Sequence, residues 1–151
     1  MTTQASQQVA ASNRPKVKQI DPRGPRFGAA ITTVVLALIL VLGPASPIAA
    51  VLLTIQILAF AAGSLFGLQA QPYGWIYRTF VRPRLGPPSE LEDQAPPRFA
   101  QAVGLVFGLV GAAGLLLGLD VLFYVAIGMA LAAAFLNAAF NFCLGCEMYL
   151  L

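Results

Sequence analysis

Two cysteines near the end of the chain are the residues whose type and spacing best suit chemistry. Cys143 and Cys146 form a Cys-Leu-Gly-Cys motif, and the 151-residue chain has no other cysteine. The C-x-x-C spacing is typical of pairs that cycle between dithiol and disulfide or that relay sulfur. Residues three apart on a helix share a face, and Gly145 can loosen the turn enough for the sulfurs to meet. We therefore take Cys143 and Cys146 as candidate catalytic residues for redox or sulfur-relay chemistry.

Other chemistries for this pair stay open at the level of sequence. Attachment of a c-type haem needs a histidine after the second cysteine, where Glu147 stands. A metal site would use the two thiolates, with Glu147 as a third ligand and a second chain to complete it. Two inert thiols packed at a helix end are the structural alternative. The sequence assigns no cofactor and no metal site.

The composition indicates that this motif belongs to a membrane protein. Hydrophobic residues make up 58% of the chain and charged residues 10%, whereas soluble domains have roughly 25% charged residues. The chain has no histidine, which excludes Ser-His-Asp and Cys-His nucleophilic sites. This composition also argues against a nucleic-acid partner, despite a net charge of +3. The expected partner is the lipid bilayer.

Four apolar segments are long enough, or nearly so, to cross a bilayer, which takes about 20 residues. They cover residues 27–43, 48–68, 99–118 and 121–142, and none contains Lys, Arg, Asp or Glu. Short turns join the first pair and the second pair, and a longer loop covers 69–98. The pattern predicts an all-α fold, an integral membrane four-helix bundle of two antiparallel hairpins over 27–151. Residues 1–26 are expected to form a disordered, basic segment. We expect the first span to be retained, since no clear cleavage site follows it.

The basic residues predict how the spans are oriented. All nine Lys and Arg residues lie before the first span or between the second and third. Cytoplasmic loops of membrane proteins carry such an excess. We therefore expect a multi-pass protein of the cell (inner or plasma) membrane, with both termini and the 69–98 loop in the cytoplasm. In that loop, Tyr73, Trp75 and Tyr77 are expected to be headgroup anchors.

The predicted position of the cysteines does not favour a reactive thiolate. The pair falls at the carboxyl end of the fourth span, which is the negative end of the helix dipole. Glu147 adds a further negative charge. Basic residues of 14–26 or 78–84 would have to fold over the motif to offset both effects.

Small and polar residues within the spans predict helix contacts. Glycines of the third span fall on one sector of the helix, namely Gly104, Gly108, Gly111, Gly114 and Gly118. Such a face lets another backbone approach closely, either inside the bundle or in a dimer. Gln56, Asn137 and Asn141 are amides within spans, and amides in hydrocarbon usually bond to a neighbouring helix. The alternative is that they line a path for a small solute.

An offset of 72 residues relates the two halves of the chain. Pro25-Arg26-Phe27 recurs as Pro97-Arg98-Phe99, and each copy opens a span. The same offset pairs Gln71 with Cys143, Gly74 with Cys146 and Tyr77 with Tyr149. The pattern is that of a parallel repeat, although coincidence in so biased a composition also accounts for it.

Three segments carry a resemblance to a known family. They are DPRGPRFGAAIT, PPRFAQAVG and the closing FCLGCEMY, and the likeness extends over residues 17–151. The chain resembles a bacterial family of small integral membrane proteins that is catalogued as domain of unknown function 4395 and is common in actinobacteria. The family has no assigned reaction, but its members often sit beside thioredoxin-like and sulfurtransferase proteins. The resemblance therefore implies a multi-span protein that ends in a cysteine pair, and the association favours thiol or sulfur chemistry with such a soluble protein as a candidate partner.

Two function classes follow from these observations. The first is a cytosol-facing thiol/disulfide or sulfur-relay protein that uses Cys143 and Cys146. The second is a non-enzymatic membrane scaffold that packs through its glycine faces against another protein or a copy of itself. Whether the chain is an enzyme stays open at this stage.

Overall fold

The computed structural model describes residues 19–20, 23–85, 92–93, 95–140 and 142–150. The predicted disordered segment therefore lies mostly outside the described residues, as does Asn141. In chain order the elements are β1 (Gln19–Ile20), α1 (Arg23–Leu42), α2 (Pro47–Ala61), the π-helix π1 (Ala62–Phe66), α3 (Pro72–Ile76), the π-helix π2 (Tyr77–Val81), α4 (Arg82–Leu85), β2 (Glu92–Asp93), α5 (Ala95–Leu117), α6 (Asp120–Phe140) and α7 (Leu144–Leu150).

Four helices are long and apolar enough to cross a membrane, with α2 and π1 together forming the second. The predicted all-α fold is confirmed, since the one extended pairing among the described residues joins only β1 to β2. The first and third spans begin four residues before their predicted starts, at Arg23 and Ala95. Proline is tolerated in the first turn of a helix, so Pro25 and Pro97 lie inside these helices.

The four spans pack in a ring. α1 contacts α2 and α6, and α5 contacts the same two helices. The buried core is formed by Leu36, Ile39, Ala49, Leu53, Phe123, Ile127 and Ala130. Many large apolar side chains face outwards instead, among them Val41, Leu116 and Val121, which are 83%, 80% and 78% exposed. So much outward apolar surface suits a lipid environment rather than water.

The glycine face of α5 is covered by helices of the same chain. Three of these glycines leave no room for a Cβ atom, which would lie 2.6 Å from Phe60 at Gly104, 2.6 Å from Ile127 at Gly111 and 2.7 Å from the Phe123 nitrogen at Gly114. Of the two predicted roles for these glycines, packing inside the bundle or in a dimer, the structure shows packing inside the bundle. The surface that the scaffold hypothesis assigned to a partner is occupied here by α2 and α6.

Two arginines tie the starts of α1 and α5 to the ends of other spans. Arg26 Nε donates to the carbonyl of Ala138 at 3.2 Å. Arg98 donates to the carbonyls of Ser64 at 2.7 Å and Leu65 at 2.8 Å. Carbonyls in the last turn of a helix lack partners within it, so these guanidinium groups satisfy them and offset the negative helix end. We call this end of the bundle, where Arg26 and Arg98 lie, the arginine end.

The turn after α1 lies at the opposite end of the bundle. Gly43 ends α1 with φ of 82°, a left-handed conformation that glycine adopts at little cost. A Cβ atom at Gly43 would lie 3.2 Å from the Tyr124 hydroxyl, near the start of α6. The turn that contains Ala45 is therefore close to the start of the fourth span.

The segment between the second and third spans is partly helical. α3, π2 and α4 follow one another, and Tyr73 and Tyr77 are buried while Trp75 is 55% exposed. The prediction of three headgroup anchors is therefore wrong for the two tyrosines, whose rings face the protein. Trp75 packs edge-on against the exposed ring of Phe80, with centroids 6.1 Å apart.

Candidate functional site

The candidate site lies between two helices at the arginine end. α6 ends at Phe140, and α7 begins at Leu144, directly after Cys143. The sequence predicted that the pair continues the carboxyl end of the fourth span, but the structure ends that helix before the motif. Cys143 precedes a separate short helix, and Cys146 lies within its first turn.

The two candidate cysteines form a disulfide. Their Cα atoms are 5.1 Å apart, inside the usual range of about 4.4–6.8 Å. Both residues are half-buried. The structure thus brings together the two residues that the sequence singled out.

Hydrogen bonds to Cys143 define the start of α7. Cys146 N–H donates to Cys143 Sγ at 3.1 Å, and Glu147 N–H donates to the Cys143 carbonyl at 3.0 Å. The first amides of a helix have no partner inside it. The sulfur therefore takes the place that a serine or aspartate oxygen usually fills at a helix start. This bond makes the two sulfurs chemically different, which the sequence alone did not show.

The helix that carries Cys146, α7, packs on two of the spans, and residues beside its disulfide are exposed. α7 contacts α5 and α6, and the ring of Tyr149 packs against Phe99 with centroids 5.9 Å apart. Phe142, Leu144 and Glu147 are exposed. In the part of the chain that the structure describes, the half-buried disulfide therefore lies beside exposed residues.

One basic residue offsets the negative end of α6. Arg26 donates to the carbonyl of Ala138 in the last turn of α6, so its positive charge lies near the chain that leads to Cys143. Arg26 belongs to the 14–26 stretch that the sequence named. Residues 14–18 and 21–22 lie outside the described residues.

A second polar cluster lies inside the bundle. Gln56 is fully buried, its Nε2 donates to Thr32 Oγ1 at 3.3 Å, and its Oε1 accepts from the Tyr73 hydroxyl at 2.7 Å. The predicted bond to a neighbouring helix is confirmed for Gln56. Burial raises the pKa of the Tyr73 phenol, which keeps it protonated and able to donate. The cluster ties α1, α2 and α3 together, a role that assigning Tyr73 to the lipid interface had missed.

Removing this hydroxyl is expected to weaken the bundle. Tyr73→Phe leaves Gln56 Oε1 buried without the donor it now uses, at a cost of about 1 kcal/mol in the free energy of unfolding. Unfolding in detergent by a chaotrope measures the change. Trp75→Phe is the matched control, because Trp75 is exposed on the same short helix. Equal stability of the two variants would contradict the structural role of the bond.

The fold and the site together are those of a small multi-pass membrane protein with a cysteine pair at one end of its helices. The chain belongs to the family described as domain of unknown function 4395, whose sequence model matches residues 20–151. The family resemblance is thereby confirmed over the four spans and the cysteine motif. No curated protein and no solved structure matches the chain.

Proposed function

We propose that this protein is a thiol–disulfide exchange or sulfur-relay protein of a bacterial inner, or plasma, membrane. Its proposed partner is a soluble thioredoxin-like or sulfurtransferase protein of the cytosol. The observation that carries the proposal is the Cys143–Cys146 disulfide, in which one sulfur accepts a hydrogen bond from a backbone amide and whose neighbouring residues are exposed. Redox pairs in proteins use two such inequivalent sulfurs, one to attack and one to resolve.

Cys143 is the attacking residue in this proposal. In the reduced pair, the Cys146 amide stabilises negative charge on Cys143 Sγ more than on Cys146 Sγ. The Cys143 thiolate attacks a disulfide of the partner, and one partner sulfur leaves as a thiolate. Cys146, deprotonated as it reacts, then attacks Cys143 Sγ, and the second partner sulfur leaves. The partner disulfide becomes a dithiol, and the dithiol of this protein becomes the disulfide.

The same pair accommodates transfer of a sulfane sulfur. The Cys143 thiolate attacks the outer sulfur of a partner persulfide, which leaves the partner as a thiolate and Cys143 as a persulfide. Attack of the Cys146 thiolate on Cys143 Sγ then releases hydrosulfide and closes the disulfide. Both reactions need the same attacking and resolving residues.

The proposed cytosolic orientation is supported by charge. Arg26 and Arg98 lie at the arginine end, and Arg78 lies there too, because the neighbouring Tyr77 packs on Phe27 with centroids 5.7 Å apart. Membrane proteins keep such arginines on the cytoplasmic side. The disulfide lies at this end, so a cytosolic partner is the one that reaches it.

Labelling of cells with a membrane-impermeant maleimide tests the proposal. We expect Cys143 and Cys146 to be labelled only after lysis, with a fraction that requires prior reduction. Ala45→Cys in a Cys143→Ser/Cys146→Ser background is the control for the opposite end, and it should be labelled in intact cells. Thr79→Cys in the same background is the control for the arginine end, and it should be labelled only after lysis.

Two outcomes would contradict the proposal. Labelling of the native pair in intact cells would place the site outside the cytosol. Full labelling without reductant, unchanged after treatment of cells with an oxidant, would show that the pair does not cycle.

A further inference from the structure

The offset of 72 residues seen in the sequence recurs in side-chain packing. Phe27 packs on Tyr77 with ring centroids 5.7 Å apart and planes at 44°. Phe99 packs on Tyr149 at 5.9 Å and 48°. Both members of the second pair are 72 positions after those of the first. In each case the ring pair joins the start of a span to the helical segment that follows the next span.

The same offset relates the hydrogen bonds that begin α3 and α7. Gly74 N–H donates to Gln71 Oε1 at 2.8 Å, and Cys146 N–H donates to Cys143 Sγ at 3.1 Å. The backbone bonds agree as well, since Trp75 N–H donates to the Gln71 carbonyl at 3.2 Å and Glu147 N–H to the Cys143 carbonyl at 3.0 Å. Gln71 and Cys143 therefore start two equivalent helices, one with an amide oxygen and one with a sulfur.

The β1–β2 pairing adds the symmetry that relates the two halves. The strands are antiparallel, and Ile20 pairs with Glu92. Glu92 is the residue that corresponds to Ile20 at an offset of 72. Strands that meet across a two-fold axis are antiparallel, and a residue next to the axis faces its own equivalent. Arg26 and Arg98 fit the same axis, because each reaches from the start of one half to a helix end in the other.

We infer that the chain is a tandem duplication of one membrane unit, folded around a two-fold axis that runs along the bundle. Residues 23–85 and 95–150 contain the two copies. In the first copy, Gln71 and Gly74 correspond to Cys143 and Cys146. Cys143 therefore occupies the helix-cap position that Gln71 fills in the first copy. This inference concerns the architecture of the site and stands apart from the proposed function.

The two copies differ in how they hold their terminal helices. In the first copy, Thr32, Gln56 and Tyr73 form the buried hydrogen-bonded cluster. Their equivalents in the second copy are Gly104, Gly128 and Gly145. Gly104 lets Phe60 approach closely. In the second copy, close packing at this position therefore stabilises helix contacts that the hydrogen-bonded cluster stabilises in the first. The Phe99–Tyr149 ring pair then holds α7 against α5, whereas the hydrogen bond from Tyr73 to Gln56 of α2 holds α3.

Moving the cysteine pair into the first copy tests the inference. The full-length variant carries Gln71→Cys and Gly74→Cys in a Cys143→Ser/Cys146→Ser background. In a glutathione redox buffer, we expect the transplanted pair to form a disulfide with an equilibrium constant within about tenfold of that of the native pair. Pro72→Cys/Trp75→Cys in the same background is the control, with the same spacing one position out of register, and it should stay largely reduced.

The ring pairs give a second, independent measurement. Tyr149→Ala should speed amide exchange in α7 and leave α3 unchanged, whereas Tyr77→Ala should speed exchange in α3 and leave α7 unchanged. This comparison uses the native cysteines, so it decides the matter even where the transplanted variant does not fold.

Two results would overturn the inference. One is a folded transplanted variant whose pair stays reduced in the buffer that oxidises the native pair. The other is a Tyr77→Ala variant that loosens α7 as much as α3. A native pair that forms its disulfide but meets no partner in cells would instead refute the proposed function and leave the duplication intact.

Discussion

Replacing Cys146 by serine is expected to trap the partner of this protein on Cys143. The remaining thiolate still accepts a hydrogen bond from the residue 146 amide and still attacks a partner disulfide, but no second thiol resolves the product. Overall exchange should fall by about a hundredfold or more, because each turnover ends in a mixed disulfide. Non-reducing electrophoresis of membranes, followed by mass spectrometry of the adduct, measures this result.

The matched variants separate an attacking residue from a structural one. Cys143→Ser should abolish exchange without accumulating the adduct, because Cys146 lacks the amide that stabilises Cys143. Gln71→Ser changes the equivalent cap in a helix without cysteines, and it should leave exchange unchanged. If the Cys143→Ser variant accumulates as much adduct on Cys146 as the Cys146→Ser variant does on Cys143, the amide does not distinguish the two sulfurs.

Gly114→Leu is expected to have the largest effect on the fold. A Cβ atom at Gly114 would lie 2.7 Å from the backbone nitrogen of Phe123 and 3.0 Å from the carbonyl oxygen of Leu119. Backbone atoms cannot turn aside as a side chain can, so α5 and α6 would have to separate. We expect a loss of about 3 kcal/mol or more in the free energy of unfolding, measured by chaotrope titration in detergent micelles.

Gly128→Ala is the control for this experiment. A Cβ atom there would meet nothing within 4 Å, and alanine is the better helix former by roughly 0.5–1 kcal/mol. Its stability should therefore match or slightly exceed that of the unchanged protein. If Gly114→Leu unfolds at the same chaotrope concentration as Gly128→Ala, the close approach of α5 and α6 is not what stabilises the bundle.

Much of this architecture follows from the sequence alone. The four spans were predicted to within a few residues because the free energy of placing apolar residues in lipid is local and additive along the chain. The cysteine pair was found because its spacing puts the two sulfurs within reach of each other in either a helix or a turn. The confirmed family match covers these spans and the cysteine motif.

Other features depended on contacts between residues that lie far apart in the chain. The hydrogen bond from Tyr73 to Gln56 turned a predicted lipid anchor into a buried residue. The choice between internal packing and a dimer depended on Phe60 and Ile127, which fill the space at the α5 glycines. Neither partner is apparent from periodicity, which identifies a face of a helix but not the surface that covers it.

The chemistry of the site divides in the same way. The sequence alone determined that two cysteines with disulfide-compatible spacing follow the fourth span of a membrane protein. Only the tertiary structure decided that α6 stops before the motif and that Cys143 begins a new helix. A helix boundary depends on what satisfies the free amides and carbonyls at its ends. Here those groups are satisfied by a sulfur and by Arg26, which lies more than a hundred residues away in the chain.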